Sequence, residues 1–229
     1  MSRMILKISG EALKSNDSLV SNDKLDIILK TIESLKDEHQ IGIVIGGGNF
    51  FRGREHTDMD KVTADTIGML GTVMNALYVK DYLEKHGLKT TISTPFDFPG
   101  LINKYSDEEL KNKYNNGEII IFGGGVGKSG FSTDSGTVLA SEKLDSDLIV
   151  KMTNVDGVYD SDPKINLNAK KFSSLSYQEV LDRDLKVMDS YAIKKCQDKN
   201  TKILVINFND YINIKKYFDG ENLGTIIGV

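Results

Sequence analysis

Two runs of three glycines carry the most chemistry in this sequence, Gly46-Gly47-Gly48 and Gly123-Gly124-Gly125. Each ends an apolar run, Ile41-Gly-Ile-Val-Ile45 in one case and Ile119-Ile-Ile-Phe122 in the other. Without Cβ atoms, backbone N–H groups at such junctions can approach a ligand and converge on an anion. Cations and isolated carboxylates sit nearby or at similar junctions: Lys7-Ile8-Ser9-Gly10, Arg52 and Arg54, Asp134, and the turn from Thr153 to Asp162. No histidine lies in these stretches. A nucleophile there would lack its usual base, which argues against hydrolysis. Glycine backbones, lysines and lone carboxylates suit phosphoryl transfer, where positioning and charge neutralisation do most of the work. Two glycine loops predict two phosphate-bearing ligands facing each other.

The stretch Glu118 to Gly136 invites a specific comparison. A phosphate loop of the form G-x-x-x-x-G-K-[ST] ends as Gly127-Lys128-Ser129 does, but Phe122 stands where its first glycine belongs. The helix also starts later, after Ser132-Thr133-Asp134. The stretch therefore reads as a phosphate-handling turn of another kind. Lys128 either holds a phosphate or faces solvent.

The elements that must position these residues follow from periodicity. Strands are predicted at Met4–Ile8, Ile41–Ile45, Leu88–Thr94, Ile119–Phe122, Asp147–Met152, Lys202–Ile206 and Thr225–Val229. Helices are predicted at Asn22–Gln40, Lys61–Lys85, Asp134–Lys143, Met188–Lys199 and Asp210–Phe218. Two more start at the capping boxes Ser106-x-x-Glu109 and Ser176-x-x-Glu179. The alternation predicts an α/β three-layer sandwich, a mainly parallel open sheet with helices on both faces. Ligands collect at the carboxyl ends of such strands, where the glycines and Lys7 fall. Gly68 and Gly71 each cost the long helix about 1 kcal/mol in propensity, so close packing against another backbone is expected there. Asp65, on the opening turns of that helix, could accept hydrogen bonds from a sugar diol or simply meet the helix dipole.

With 229 residues, 39% hydrophobic and 27% charged, the chain is large enough for a real core in one domain or two lobes. The net charge is −4 and the lysines are scattered among acids, so no nucleic-acid partner is expected. Cys196 is alone; it allows no intrachain disulfide and reads as a buried thiol on a helix. The three histidines stand apart, which argues against a zinc site. No apolar run approaches about 18 residues and no signal peptide is evident. No membrane contact and a cytoplasmic location are expected.

Six motifs in order carry a resemblance: Lys7-Ile-Ser-Gly-Glu-Ala12, Ile45-Gly-Gly-Gly-Asn-Phe-Phe-Arg52, Asp65-Thr-Ile-Gly-Met-Leu70, Phe131-Ser-Thr-Asp-Ser135, Val155-Asp-Gly-Val-Tyr159 with Asp162-Pro163, and Leu185-Lys-Val-Met-Asp189. Together they resemble the bacterial uridylate (UMP) kinases of the amino-acid-kinase fold, over nearly the whole chain. The resemblance implies transfer of the ATP γ-phosphate to UMP in pyrimidine nucleotide synthesis. It implies Mg²⁺ held mainly by nucleotide phosphates, with no direct metal ligand from the protein. It also implies a homohexamer and one domain, with an acceptor lobe at about 1–135 and an ATP lobe at about 136–229.

By the same resemblance, Lys7 neutralises charge on the transferred group, with Arg52 as a second phosphate holder. Ile8, Ser9 and Gly10 line the ATP phosphates. Gly47 contacts UMP and Gly48 the ATP phosphate, and Asp65 binds the ribose. Val126, Gly127, Lys128, Ser129, Gly130, Phe131, Ser132 and Thr133 wrap the uracil and phosphate of UMP. Asp134 orients Lys7 and reaches Mg²⁺ through water. Thr153, Asn154, Tyr159 and Asp162 hold the ATP adenosine, and Asp189 organises the site. The chain departs from the family's usual Gly-Asn-Pro at Gly127-Lys128-Ser129-Gly130, and it shortens the segment Leu13 to Leu19 near which GTP activation is linked. UTP inhibition through the acceptor pocket fits the same picture. A carboxylate kinase of this fold, acting on an amino acid or carbamate, and a non-catalytic nucleotide sensor are the rival readings. Asp65 and the Phe131-Ser-Thr-Asp loop favour a nucleotide acceptor over a small acid.

Overall fold

The strand that carries Lys7 lies inside the sheet, between two parallel neighbours. The computed structural model describes residues 2–221 and 223–229, and at residue 54 only the backbone. The Arg54 side chain, noted above beside Arg52, lies outside the described residues.

In chain order the strands are β1 (Arg3–Ile8), β2 (Gln40–Ile45), β3 (Thr90–Ser93), β4 (Ile119–Phe122), β5 (Leu148–Thr153), β6 (Ser174–Leu175), β7 (Lys202–Asn207) and β8 (Thr225–Ile227). The helices are α1 (Asn22–Glu33), α2 (Lys61–Lys85), α3 (Asp107–Asn115), α4 (Thr133–Leu144), α5 (Tyr177–Asp182), α6 (Ser190–Lys199) and α7 (Ile212–Phe218). Among the described residues the sheet runs β3-β4-β2-β1-β5-β7-β8-β6, and β7–β8 is its antiparallel pair. From β1 the chain moves outward to β2 and on to the edge strand β3, and β4 then fills the place between them. The chain then returns to β5 on the other side of β1. That reversal leaves a crevice beyond the carboxyl end of β1, where a ligand binds in an open α/β sheet.

Period-two alternation decides which face each strand residue meets. Met4, Leu6 and Ile8 of β1 join Leu148, Val150 and Met152 of β5 in one apolar cluster, under α1, α2 and α7. Ile5 and Ile149 join the other, under α3, α4, α5 and α6. Lys7 and Lys151 each sit two residues beyond an isoleucine of the second set, and their Cα atoms are register partners across β1 and β5. Both lysines thus end their strands on the α4 side.

Both capping boxes form, each with the serine and the glutamate bonded reciprocally to the other's backbone. Several boundaries differ from the sequence reading. α1 stops at Glu33 rather than Gln40; past Leu35 come Lys36, Asp37 and Glu38, with no apolar face to bury. α6 starts at Ser190, because Asp189 caps it. A 3-10 turn at Phe208–Asp210 precedes α7. β3 is trimmed to Thr90–Ser93. β8 ends at Ile227, and Gly228 leaves the strand at φ +94°, a conformation natural only to glycine. β6 is two residues long, too short to leave a periodic signal. Cys196 is a buried free thiol, and burial pushes its pKa up to about 12.

Candidate active site

Lys7 is nearly buried, at 8% exposure, and its ammonium lies 3.0 Å from Asp134 Oδ1. Asp134 comes to that place by helix capping. The Ser132 hydroxyl accepts from the N–H groups of Asp134 and Ser135 at 3.0 and 3.4 Å, so α4 starts one residue before the aspartate. The same hydroxyl donates to Asp189 Oδ2 at 2.5 Å, and Ser135 donates to that oxygen at 3.1 Å. Asp189 Oδ1 caps α6 through the N–H of Ala192 at 2.8 Å. One carboxylate therefore ties the starts of two helices together, and the Ser132 hydroxyl is fully engaged within the protein.

A second lysine completes the cluster. The Lys151 ammonium lies 3.9 Å from Asp134 Oδ1 and donates to the carbonyl of Val187. Burial alone would raise the Asp134 carboxyl, but the charges of Lys7 and Lys151 outweigh it and its pKa is lowered. Burial, and then repulsion from Lys7, bring Lys151 down to about 8. Asp134 Oδ1 makes ion pairs but no hydrogen bond within the protein.

The glycines bring the loops together. A Cβ at Gly10 would lie 2.5 Å from the Gly46 carbonyl oxygen, and one at Gly47 would lie 2.5 Å from the carbonyl of Gly68. The first triglycine thus allows close approach of three backbones. The second takes left-handed conformations, Gly124 at φ +88° and Gly125 at φ +57°. Asn49 and Asn75, both buried, exchange amide hydrogen bonds at 2.9 and 2.7 Å, and Asn75 also donates to the Gly46 carbonyl at 2.7 Å. This pair fastens the first glycine loop to α2.

These loops enclose a cavity of about 830 Å³ lined by Lys7, Ser9, Gly10, Gly47, Gly48, Asp65, Val126, Phe131, Ser132 and Thr133, among others. Arg52 lines it too, but presents its fork to Glu11, with Nε 3.0 Å from Oε1 and Nη2 2.8 Å from Oε2. Asp65 Oδ2 accepts from the Ser129 hydroxyl at 2.5 Å and the Gly130 N–H at 2.8 Å. Those two bonds, the hydroxyl first, hold its pKa down.

A cation–carboxylate cluster at the meeting of two glycine loops is chemically suited to a phosphate, and comparison with known proteins gives the chain a family. The sequence profile of the amino acid kinase family matches residues 2–207. A uridylate kinase of Streptomyces avermitilis is 42% identical over 231 residues, 99% of this chain and 92% of its own. One from Fervidobacterium nodosum is 37% identical over 227 residues, 98% and 97% of the two chains. The crystal structure of UMP kinase from Ureaplasma parvum superposes with a TM-score of 0.93 at 33% identity, covering 99% of this chain and 98% of that one. The UMP kinase of Bacillus anthracis gives 0.94 at 34%, covering 99% and 95%.

The chain belongs to the uridylate kinases of the amino acid kinase family.

Not every residue that the uridylate kinase resemblance singles out reaches the cavity. Ile8 is fully buried in the core, and its carbonyl accepts from the Gly46 N–H. Gly127, Lys128, Ser129 and Gly130 lie outside the lining; Lys128 is exposed, and Ser129 and Gly130 meet the site only through Asp65. Thr153 and Asn154 border a smaller cleft of about 180 Å³ with Glu11, Lys24 and Phe208. The Tyr159 hydroxyl donates to Asp156 at 2.6 Å. Asp162 accepts from the Lys164 N–H in an exposed turn.

Lys151 and the Asn49–Asn75 pair are the site residues the sequence reading passes over. Lys151 had a signal. It is the single charge inside an apolar strand, as Lys7 is. Asn75 had none, since an asparagine inside a helix is ordinarily a solvated one.

Proposed function

We propose that the protein transfers the γ-phosphoryl group of ATP to UMP, with the acceptor in the cavity between α2 and the loop before α4. A UMP phosphate oxygen attacks the γ-phosphorus, the bond to the β-bridging oxygen breaks, and ADP and UDP leave. The observation that carries this reading is the Lys7–Asp134 pair at 3.0 Å, at the junction of two glycine loops. The transition state spreads charge over the transferred oxygens, and Lys7 neutralises it while Asp134 aims the ammonium. No general base is needed, because the UMP phosphate is already anionic.

In this reading Gly48, Ser9 and Gly10 face the ATP phosphates, and Arg52 exchanges Glu11 for a phosphate, to which its fork is equally suited. The adenosine lies toward Thr153, Asn154, Tyr159 and Asp162. Mg²⁺ would be carried mainly by the nucleotide phosphates; among the described residues no group of three or more acidic, histidine or cysteine side chains could hold a metal. Asp134 would meet that ion through a water; its Oδ1 atom is buried and paired with Lys7. When bound with the nucleotide, Mg²⁺ would supply charge neutralisation on the phosphates. UTP would compete in the acceptor cavity. The exposed apolar stripe Leu70, Met74, Leu77 and Tyr78 on α2 is compatible with a homohexamer. Among the described residues no helix is long and apolar enough to cross a membrane, which is compatible with work in the cytoplasm. The lobes divide near residue 135, acceptor side first.

ADP release with UMP, CMP, glutamate or no acceptor tests the assignment. UMP should give the fastest release. A rate no higher than that without acceptor would remove it.

Two substitutions probe the acceptor side. Asp65→Ala should raise the KM for UMP about 10–100-fold, because it removes charge-assisted hydrogen bonds worth about 1.5–3 kcal/mol, and kcat should change much less. Equal losses in both constants would take the ribose away from Asp65. Gly68→Ala should do two things at once. Against the expectation of close packing there, a Cβ at Gly68 meets no atom within 4 Å, and the residue lines the cavity. Alanine in the helix interior should add about 1 kcal/mol, or about 2–4 °C in melting temperature, while the KM for UMP rises. A higher melting temperature with unchanged KM would move the acceptor away from α2.

A further inference from the structure

Lys151 is buried beside another lysine, and the reading above gives it no task. From the α4 side of the sheet it faces Lys7 on β1, Asp134 in the first turn of α4, and Asp189 at the cap of α6; on β7 its register partner is the apolar Val205. Asp189 spends both oxygens on Ser132, Ser135 and Ala192. Two ammonium groups therefore share the Asp134 carboxylate, Lys7 at 3.0 Å and Lys151 at 3.9 Å from the same oxygen. A buried cation kept for structure alone is poor economy, since an apolar side chain of similar volume is often neutral or stabilising. Two like charges on adjacent strands make the arrangement costlier, and Lys151 registers that cost in a pKa lowered to about 8 by burial and by Lys7. A buried, charge-coupled group of this kind beside a cleft is a candidate for a functional role.

We infer that Lys151 is a positioning residue for the transfer: it shares the Asp134 carboxylate with Lys7, so that Lys7 keeps charge to spare for the phosphoryl group. Lys151 takes up part of the Asp134 charge and leaves the Lys7 ammonium incompletely neutralised, while the Asp189 charge, which also acts on Lys151, is turned to Ser132, Ser135 and the α6 N–H. Without Lys151, Lys7 and Asp134 would neutralise each other as a closed pair. Lys151 does not line the cavity as Lys7 does, so it works through Asp134 and does not touch the acceptor. The inference rests on the phosphoryl-transfer reading.

Lys151→Met keeps the length of the side chain and removes its charge. It should lower kcat on the order of 10²-fold and leave the KM for UMP, set at Asp65, nearly unchanged. In an Asp134→Asn background the same substitution should cost far less, because its route is already cut. An unchanged kcat, or the same fold loss in both backgrounds, overturns the inference. Should Lys151→Met fail to fold, Lys151→Gln retains a donor for the Val187 carbonyl without the charge, and the same readings apply. If neither folds, the charge is structural and the inference falls. Wild-type protein without UMP-dependent ADP release would instead remove the transfer reading itself.

Discussion

Lys7→Ala should slow UMP phosphorylation about 10³-fold and leave the KM for UMP almost where it was. In the proposed reading, the charge it removes is needed most as the phosphoryl group moves and charge is redistributed over its oxygens and the leaving oxygen. Ground-state binding of UMP is, in that reading, set elsewhere, at Asp65 and the loop behind it. The fold should survive. Breaking a buried ion pair ordinarily costs about 3–5 kcal/mol, because a charge is left without its partner. Here Lys151 remains 3.9 Å from the same oxygen, so the loss should fall below that range. Steady-state kinetics with each substrate varied, beside a thermal melt, would decide it. A raised KM with kcat unchanged would make Lys7 a binding residue only.

Gly10→Ala should be nearly as damaging, through geometry instead of charge. Its Cβ would lie 2.5 Å from the Asn49 amide oxygen, 2.5 Å from the Gly46 carbonyl and 2.7 Å from the Gly48 N–H. Two of those three atoms are backbone, so no side chain can swing aside to make room. The turn after β1 and the first glycine loop must separate, and the Asn49–Asn75 exchange must stretch with them. Overpacking of this kind costs about 2 kcal/mol, or roughly 4–8 °C in melting temperature. Displacing phosphate-binding groups by about 1 Å costs about 10²-fold in rate. Loss of both activity and melting temperature is the expected outcome. Wild-type behaviour in both would mean that the two loops do not touch.

The sheet was largely legible in the residues because its strands are apolar runs ending in glycine, serine or lysine. Lys7, Asp134 and both triglycines could be assigned to one end of it on topology alone. What could not be read was the partner of each polar group. The Ser132 hydroxyl looks free to meet a substrate in the sequence, but capping α4 and bonding Asp189 consume it. Arg52 reads as an open phosphate fork, yet Glu11, forty-one residues earlier, meets it. Asp65 reads as a lone carboxylate, whereas Ser129 and Gly130 come to it from sixty-four and sixty-five residues away. Such pairings depend on which loops the fold brings together, and no local pattern records them. Lys151 differs, because its strand carries the same pattern that marks Lys7. It goes unread because the glycine-poor turn after Thr153 gives less reason to look for an anion there.

The place of β1 in the sheet also bears on how the protein comes into being. One edge of β1 is completed by β2, some thirty-seven residues along the chain, but the other needs β5, which begins beyond residue 147. Pairings of that span close late and slowly, since chain entropy must be spent before the contacts repay it. A growing or refolding chain can therefore form β1 against β2 early while its lysine still lacks both Asp134 and Lys151. The catalytic cluster matures with the last long-range pairing of the central strand, so recovery of turnover should trail recovery of helical signal during refolding.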